Sequence, residues 1–193
     1  MRALVYVGTQ LSEICDVPTP VCDSEQVVVD LAFCGICGSD MHAWHGHDER
    51  RVPPLVLGHE AVGVANDGPF HGQRVAINPL VTCGMCVSCV SGNEHLCVKR
   101  ELIGMRLPGA FAEKVAIKAQ NLSILPNDLL FVEAALAEPL ACSVHAVRLA
   151  IQYADDDQMV TIAILGGGAI GLLASKVFLE YGYQNIWIAE PNP

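Results

Sequence analysis

Cys83, Cys86, Cys89 and Cys97 fall within one fifteen-residue stretch in the pattern C-x2-C-x2-C-x7-C. Four thiolates this close can wrap one tetrahedral zinc, and with all four positions filled by protein the site is structural rather than catalytic. Gly84, Ser88, Gly92 and Asn93 between them suit a tight loop around the ion. A set of buried or redox-active cysteines would need neither the regular spacing nor a third and fourth partner. A second group of ligand-type residues lies apart from this lobe. Cys37, Ser39, Asp40 and His42 occur in Gly35-Ile36-Cys37-Gly38-Ser39-Asp40-Met41-His42, His59 and Glu60 follow Gly58, and Glu138 precedes Pro139. None of these is diagnostic alone, because a single Cys is ordinarily core and a Glu-Pro pair ordinarily marks a helix boundary.

A third constellation, Gly166-Gly167-Gly168-Ala169-Ile170-Gly171, fits G-x-G-x-x-G. Its meaning comes from context, since it follows an expected strand and opens an expected helix. Gly166 permits the tight turn, Gly168 lets a pyrophosphate approach the backbone, and Gly171 lets helix and strand pack closely. The unpaired N–H groups at the helix start would then face the phosphates. Glu190 ends the next strand, at the offset where a carboxylate accepts from the adenosine ribose hydroxyls and repels a 2′-phosphate. That favours NAD over NADP. The bland reading of Glu190 is a polar strand end.

The elements that must position these groups read as two parts. Residues 1–126 are β-rich, with short apolar runs at 3–7, 27–33, 61–64, 74–77 and 111–117 separated by Gly, Pro and Asp clusters, which suggests a barrel-like or sandwich domain with the 83–97 lobe inserted. Residues 127–193 change texture. An apolar helical face runs from Ala134 to about Ala150, interrupted at Pro139, and Asp155-Asp156-Asp157 makes a polar break. Residues 160–165 read as a fully buried strand, 166–171 as a turn, 172–181 as a helix and 186–189 as a second strand. This is one β-α-β unit of a parallel sheet, after which the chain stops.

The 193 residues are 52% apolar with a net charge of −10, enough for a sizeable core and unfavourable for nucleic acid or an anionic membrane surface. The N-terminal apolar run is too short for a signal, and the stretch from Met159 to Leu173, broken by glycines, falls short of the ~20 residues of a membrane span. A cytoplasmic protein follows, in which nine cysteines do not imply disulfides. Cys15, Cys22, Cys34 and Cys142 read as small buried residues, His45 and His47 as exposed loop residues, and His145 as structural. Trp44 and Phe111 suit either a pocket wall or the core.

Taken in order, Gly35–His42, Gly58–Glu60, the cysteine lobe, Glu138-Pro139-Leu140 and the glycine turn resemble the zinc-dependent medium-chain alcohol dehydrogenases. The likeness is greatest to the polyol and sugar branch of sorbitol, L-idonate, butanediol and threonine dehydrogenases. The resemblance implies a GroES-like catalytic domain followed by the start of a Rossmann domain. It implies one catalytic zinc, with Cys37 and His59 as ligands and Glu60 as a ligand or a nearby exchangeable carboxylate. Glu138 stands where ethanol-type members have a cysteine and polyol-type members a glutamate; contact with zinc directly or through water both stay open. Ser39 resembles the hydroxyl that passes on the substrate proton, His42 the residue further out on that relay, and Asp40 a group holding the His59 tautomer. Hydride transfer from a secondary alcohol to NAD follows, with a homodimer or homotetramer expected of the full-length parent. Two features depart from the family. The loop 64–74 is short, with Gln73 in place of the common Asp, and the chain ends early, like an N-terminal portion. A zinc-free quinone or enoyl reductase and a zinc-stabilised, non-catalytic binding module are the competing readings. Metal content separates them: two zincs, none or one.

Overall fold

The computed structural model describes residues 1–153 and 160–192, in two compact units, Met1–Ala135 and Leu136–Pro193. The acidic triplet at 155–157 lies outside the described residues. The first unit contains β1 (Arg2–Gly8), β2 (Leu11–Asp16), β3 (Gln26–Gly35), α1 (Gly38–Trp44), β4 (Leu55–Val56), β5 (Glu60–Ala65), β6 (Arg74–Ile77), β7 (Leu80–Val81), α2 (Val87–Val90), β8 (Glu101–Leu102), β9 (Lys114–Lys118), β10 (Leu122–Ile124) and α3 (Phe131–Ala134). An antiparallel sheet in the order β10-β6-β5-β3-β9 carries the core. β2-β1-β4 form a second sheet, and β7 pairs with β8 at the base of the cysteine lobe.

Alternation builds that core. Val27 and Val29 of β3 meet Val115 and Ile117 of β9 and Val75 and Ile77 of β6, as successive side chains point to opposite faces. β5 lies between two strands and is accordingly apolar after its first residue, Glu60, with Ala61, Val62 and Ala65 buried. A side chain at Gly63 would bring its Cβ to 2.1 Å from the Asp30 carbonyl oxygen, so only glycine fits there.

The β3–β5 ladder contains a bulge. Leu31 pairs with Gly63 but Phe33 with Val62, leaving Ala32 as the extra residue. Upstream of it the odd-numbered side chains Val27, Val29 and Leu31 join the core. Downstream, Cys34 packs inward and Phe33 is exposed. The end of the ladder thereby sets Gly35 opposite Glu60, and Cys37 then caps α1. Its N–H donates to Asp40 Oδ2 at 3.0 Å.

β2 was not evident from the sequence because its apolar residues face solvent, with Ile14 exposed. It pairs with β1 through a turn in which Gln10 has φ 58°.

The second unit contains α4 (Ala137–Tyr153), β11 (Ile162–Leu165), α5 (Ala169–Glu180) and β12 (Ile186–Ala189), with β11 and β12 parallel. The helical run from Ala134 is interrupted as expected, but at Ala135 and Leu136 rather than at Pro139. Pro139 is the third residue of α4, where a backbone N–H has no intrahelical acceptor to lose. α5 begins at Ala169 rather than 172, so half of the expected turn is helical. β11 is not fully buried either. Ile162 and Ile164 pack with Val147, Val177 and Phe178, whereas Ala163 and Leu165 point to an uncovered face. No helix of the described residues is long and apolar enough to cross a membrane.

Candidate metal centres and nucleotide turn

The four lobe sulfurs converge. Cys86 Sγ lies 3.5 Å from Cys89 Sγ, Cys97 Sγ 3.6 Å from Cys83 Sγ, and Cys83 Sγ 3.9 Å from Cys89 Sγ. A tetrahedron with Zn–S bonds of about 2.3 Å has edges of about 3.8 Å, whereas a disulfide needs about 2.05 Å. The set therefore has the dimensions of a four-thiolate zinc site, and all nine cysteines are free thiols. Gly84 and Gly92, with φ 72° and 76°, make the turns that bring the thiols round. Backbone N–H groups of Met85 and Cys86 donate to Cys83 Sγ and hold its pKa down at about 6, favouring the thiolate that a metal requires.

The second cluster is Cys37, His59 and Glu60, whose ligand atoms lie within 4.8 Å of one another. Cys37 arrives from the start of α1, His59 and Glu60 from the start of β5. Gly58, with φ 89° and the Phe111 ring where a Cβ would stand, turns the chain so that the next two side chains enter the site. Beneath them lies Asp40, 2% exposed. Its Oδ1 accepts from Gly58 N at 3.3 Å and stands 3.5 Å from His59 Nδ1. At that separation the attraction to the ring is electrostatic without an aligned hydrogen bond, and Nδ1 is buried with no hydrogen-bond partner. Burial disfavours a charged imidazole, but Asp40 and Cys37 beside it win, raising the His59 pKa to about 10. His59 in turn lowers the Cys37 thiol, burial opposing and the Ser39 hydroxyl assisting. A sulfur, nitrogen and oxygen donor set, with His59 and Glu60 buried and the half-buried Cys37 favoured as thiolate, fits a divalent zinc with room for exchangeable ligands.

Glu60 owes its place to the bare backbone opposite. A Cβ on Gly35 would lie 2.2 Å from Glu60 Oε2 and 3.1 Å from its Cβ. Gly35→Ala is expected to push the carboxylate out of the cluster and weaken zinc there by about 10–100-fold. The lobe zinc should be untouched. Competition with a chromophoric chelator reads both sites; unchanged affinity at the weaker site would show that Glu60 makes no contribution.

His42, His45 and His47 are exposed near one another, with ring centroids 6.4 Å apart for His42–His47 and 5.9 Å for His45–His47. Glu138 lies in the first turn of α4, in the second unit. Trp44 and Phe111 pack against Tyr6, Ala43 and Leu57, a core role. Cys142 is exposed, and Cys15 and Cys22 are half-buried, so none of the three is the buried residue expected. Cys34 packs against the core, and burial pushes its pKa up to about 12. A cavity of about 610 Å³ in the first unit is lined by Val5, Pro54, Ile103, Pro108 and Val115 among others and by none of the metal-type ligands.

At the glycine turn, Gly166 has φ 107°, and a Cβ at Gly171 would meet the Gly166 carbonyl oxygen at 2.0 Å, so both must be glycine. Gly168 caps α5 with open space where a Cβ would be, and Ala169 and Ile170 begin the helix. Glu190 Oε2 accepts from Gly167 N at 2.7 Å, while Oε1 accepts from Asn192 N at 3.0 Å. These bonds, Asn192 first, lower the Glu190 pKa.

One buried charge was not flagged by the sequence. Arg51, 3% exposed, donates from Nε to the Gly104 carbonyl at 2.8 Å, from Nη1 to Asp48 Oδ2, and from Nη2 to Ser39 Oγ at 3.1 Å. In the sequence only Asp48, three residues before it, hinted at a partner.

Residues 23–127 match the alcohol dehydrogenase GroES-like domain family. The whole chain aligns at 34% identity with the 2-dehydro-3-deoxy-L-galactonate 5-dehydrogenase of Pseudoalteromonas atlantica, covering 57% of it. At 35% identity, 92% of the chain aligns with an L-threonine 3-dehydrogenase of a Marinomonas species, covering 53% of it. The solved structure of an Escherichia coli short chain alcohol dehydrogenase complexed with NADH superposes with a TM-score of 0.89 at 28% identity. That match covers all of this chain and 57% of the other. The chain thus spans about half the length of the curated relatives it matches.

Proposed function

Because the chain belongs to the alcohol dehydrogenase family with a GroES-like domain, we propose that it forms the metal-bearing part of a zinc-dependent enzyme that moves hydride from a secondary alcohol to NAD. The observation that carries this reading is the convergence of Cys37, His59 and Glu60 in a cluster separate from the four-thiol lobe. A zinc-free reductase has no use for either set, and a zinc-stabilised binding module needs only the lobe. The names of both curated relatives set their reactions at internal carbons, position 5 of a sugar acid and position 3 of threonine. The substrate class proposed here is accordingly a polyol, sugar acid or related hydroxy compound.

When bound, zinc supplies Lewis acidity toward the substrate hydroxyl, and NAD supplies the hydride acceptor. The chain's own residues do the rest. Cys37 and His59 would hold the metal, with Glu60 beside it. Asp40 fixes the His59 ring and the Gly58 turn together. Ser39 takes up the proton of the substrate hydroxyl as its own proton passes outward to His42 and water, so the oxidation releases one proton and one hydride. The glycine turn, with Ala169 and Ile170 opening α5, would receive the pyrophosphate, and Glu190 would receive the ribose.

The test is metal analysis of the full-length protein, together with NAD reduction followed across sorbitol, L-idonate, butanediol and threonine. Two zincs per chain and turnover of one such alcohol are expected. A single zinc without turnover would favour the binding module, and a zinc-free protein the reductase.

Glu190 gives a second expected result. Glu190→Gln keeps an oxygen for Gly167 N but removes the charge that repels a 2′-phosphate. Preference for NAD over NADP should fall about 10–100-fold in Glu190→Gln and in Glu190→Ala alike. Only Glu190→Ala should also loosen the turn, seen as faster amide exchange at Gly167. An unchanged preference in both would place the ribose elsewhere.

A further inference from the structure

Arg51 is the most enclosed cation of the first unit that the reaction described above leaves unused, and its three donors go to three different segments. Nη2 reaches Ser39 on α1, Nη1 reaches Asp48 in the following loop, and Nε reaches the Gly104 carbonyl. Gly104 in turn lies against Gly58, since a Cβ on it would stand 2.7 Å from the Gly58 carbonyl oxygen. One guanidinium therefore braces both arms of the cluster, Cys37 through Ser39 and His59 through Gly104 and Gly58. Its charge is only partly spent, because Asp48 also takes Arg50 in a two-pronged pair at 2.8 and 3.0 Å. One carboxylate serves two guanidiniums, and the one left enclosed is the one touching Ser39.

A serine hydroxyl has one hydrogen and two lone pairs, and arginine can only donate. With Nη2 occupying one lone pair, Ser39 Oγ keeps one lone pair to accept and one hydrogen to give. The Ser39 hydroxyl also stands near enough to the Cys37 thiol to help lower its pKa. We propose that Arg51 is a positioning residue for the reaction, holding the Ser39 hydroxyl so that its free lone pair faces the substrate hydroxyl beside Cys37 and His59. The inference rests on the dehydrogenase reading. Arg51 touches no reacting atom and acts through Ser39.

The experiment uses the full-length protein with Arg51→Lys, Arg51→Met, Ser39→Ala and the Arg51→Lys/Ser39→Ala pair. Lysine preserves the charge for Asp48, so the loop folds, but a single ammonium cannot span the three acceptors that a planar fork reaches. Arg51→Lys should retain both zincs and the KM for NAD while kcat falls about tenfold. In the Ser39→Ala background the same change should cost less than about twofold, because the group it acts through is gone. Cobalt(II), exchanged into the three-residue cluster with zinc left in the lobe, reports the same contact without turnover. The Cys37-to-cobalt charge-transfer band should move in the same direction in Arg51→Lys as in Ser39→Ala, as the hydroxyl dipole beside the thiolate is displaced or removed. Arg51→Met should show both effects at least as strongly where it folds. A full tenfold loss that persists on top of Ser39→Ala, or an unmoved cobalt band in Arg51→Lys, overturns the proposal and leaves Arg51 a structural brace. A wild-type protein inactive on every alcohol overturns it together with the dehydrogenase reading; with the wild type active, failure of the band or of the double variant falls on Arg51 alone.

Discussion

Cys37→Ala in the full-length protein is expected to abolish alcohol oxidation while the four-cysteine lobe keeps its metal. Cys37 contributes the only thiol of the three-residue cluster and caps α1, with its N–H held by Asp40. Removing it leaves His59 and Glu60, an N/O pair too small to hold zinc with three protein donors. The metal's contribution to the transition state is several kcal/mol, and each 1.36 kcal/mol is tenfold in rate. Turnover should therefore fall by at least about a thousandfold, with metal content dropping from two to one per chain. Alanine is tolerated at the cap position because Asp40 still accepts the backbone N–H, so the secondary structure should survive, as circular dichroism would show. A variant that loses one zinc yet keeps half its activity would break the link between this cluster and the chemistry.

The second large effect belongs to the lobe. Cys89→Ser replaces a buried thiol that sits 3.5 Å from Cys86 Sγ and 3.9 Å from Cys83 Sγ. Apparent binding free energies of four-ligand structural zinc sites are about 10–16 kcal/mol and are spent on folding. Little else holds the segment together: α2 is one turn long, and β7 pairs with β8 over two residues. The expected outcome is loss of the lobe zinc and selective proteolysis between 82 and 100, with the β3–β5 core intact. Mass spectrometry of limited digests would show it. Resistance to protease with two zincs retained would mean that three thiols and a hydroxyl suffice, and that the closed four-sulfur site is not what orders the loop.

What the sequence disclosed and what it hid follow from the range of the forces involved. The four lobe cysteines are legible because their geometry is local: three short spacings and two left-handed glycines bring the sulfurs within a tetrahedron's edge. The glycine turn is legible for the same reason, its constraints lying between Gly166 and Gly171. The two-part fold, β-rich and then β-α-β, is legible from alternation and from a change of texture, although the texture changes near residue 127 and the two units divide between Ala135 and Leu136. The strand β2 escaped notice because Leu11 and Ile14 are exposed, reversing the pattern that announces a strand. Pro139 marked the break but not its place, since the helix stops at Ala134 and restarts at Ala137 with Pro139 in its first turn. Arg51 was out of reach because its value is non-local. It lies 12 positions from Ser39 and 53 from Gly104, and nothing in the Arg50-Arg51 pair tells which side chain turns inward.

The bulge at Ala32 converts β3 from one parity to the other. Before it, odd-numbered residues answer to the core; after it, even-numbered ones do. A strand read in a single phase ties every side chain to every other, so what the core requires at one end dictates what the site receives at the far end. Here that tie is cut at one residue. Val27 and Val29 can be chosen for packing, and Gly35 and Cys37 for chemistry, with Ala32 absorbing the difference. Insertions or deletions near it therefore reach the metal ligands as a change of face rather than of distance, which makes this short stretch the least tolerant of length variation in the strand, however ordinary its residues look.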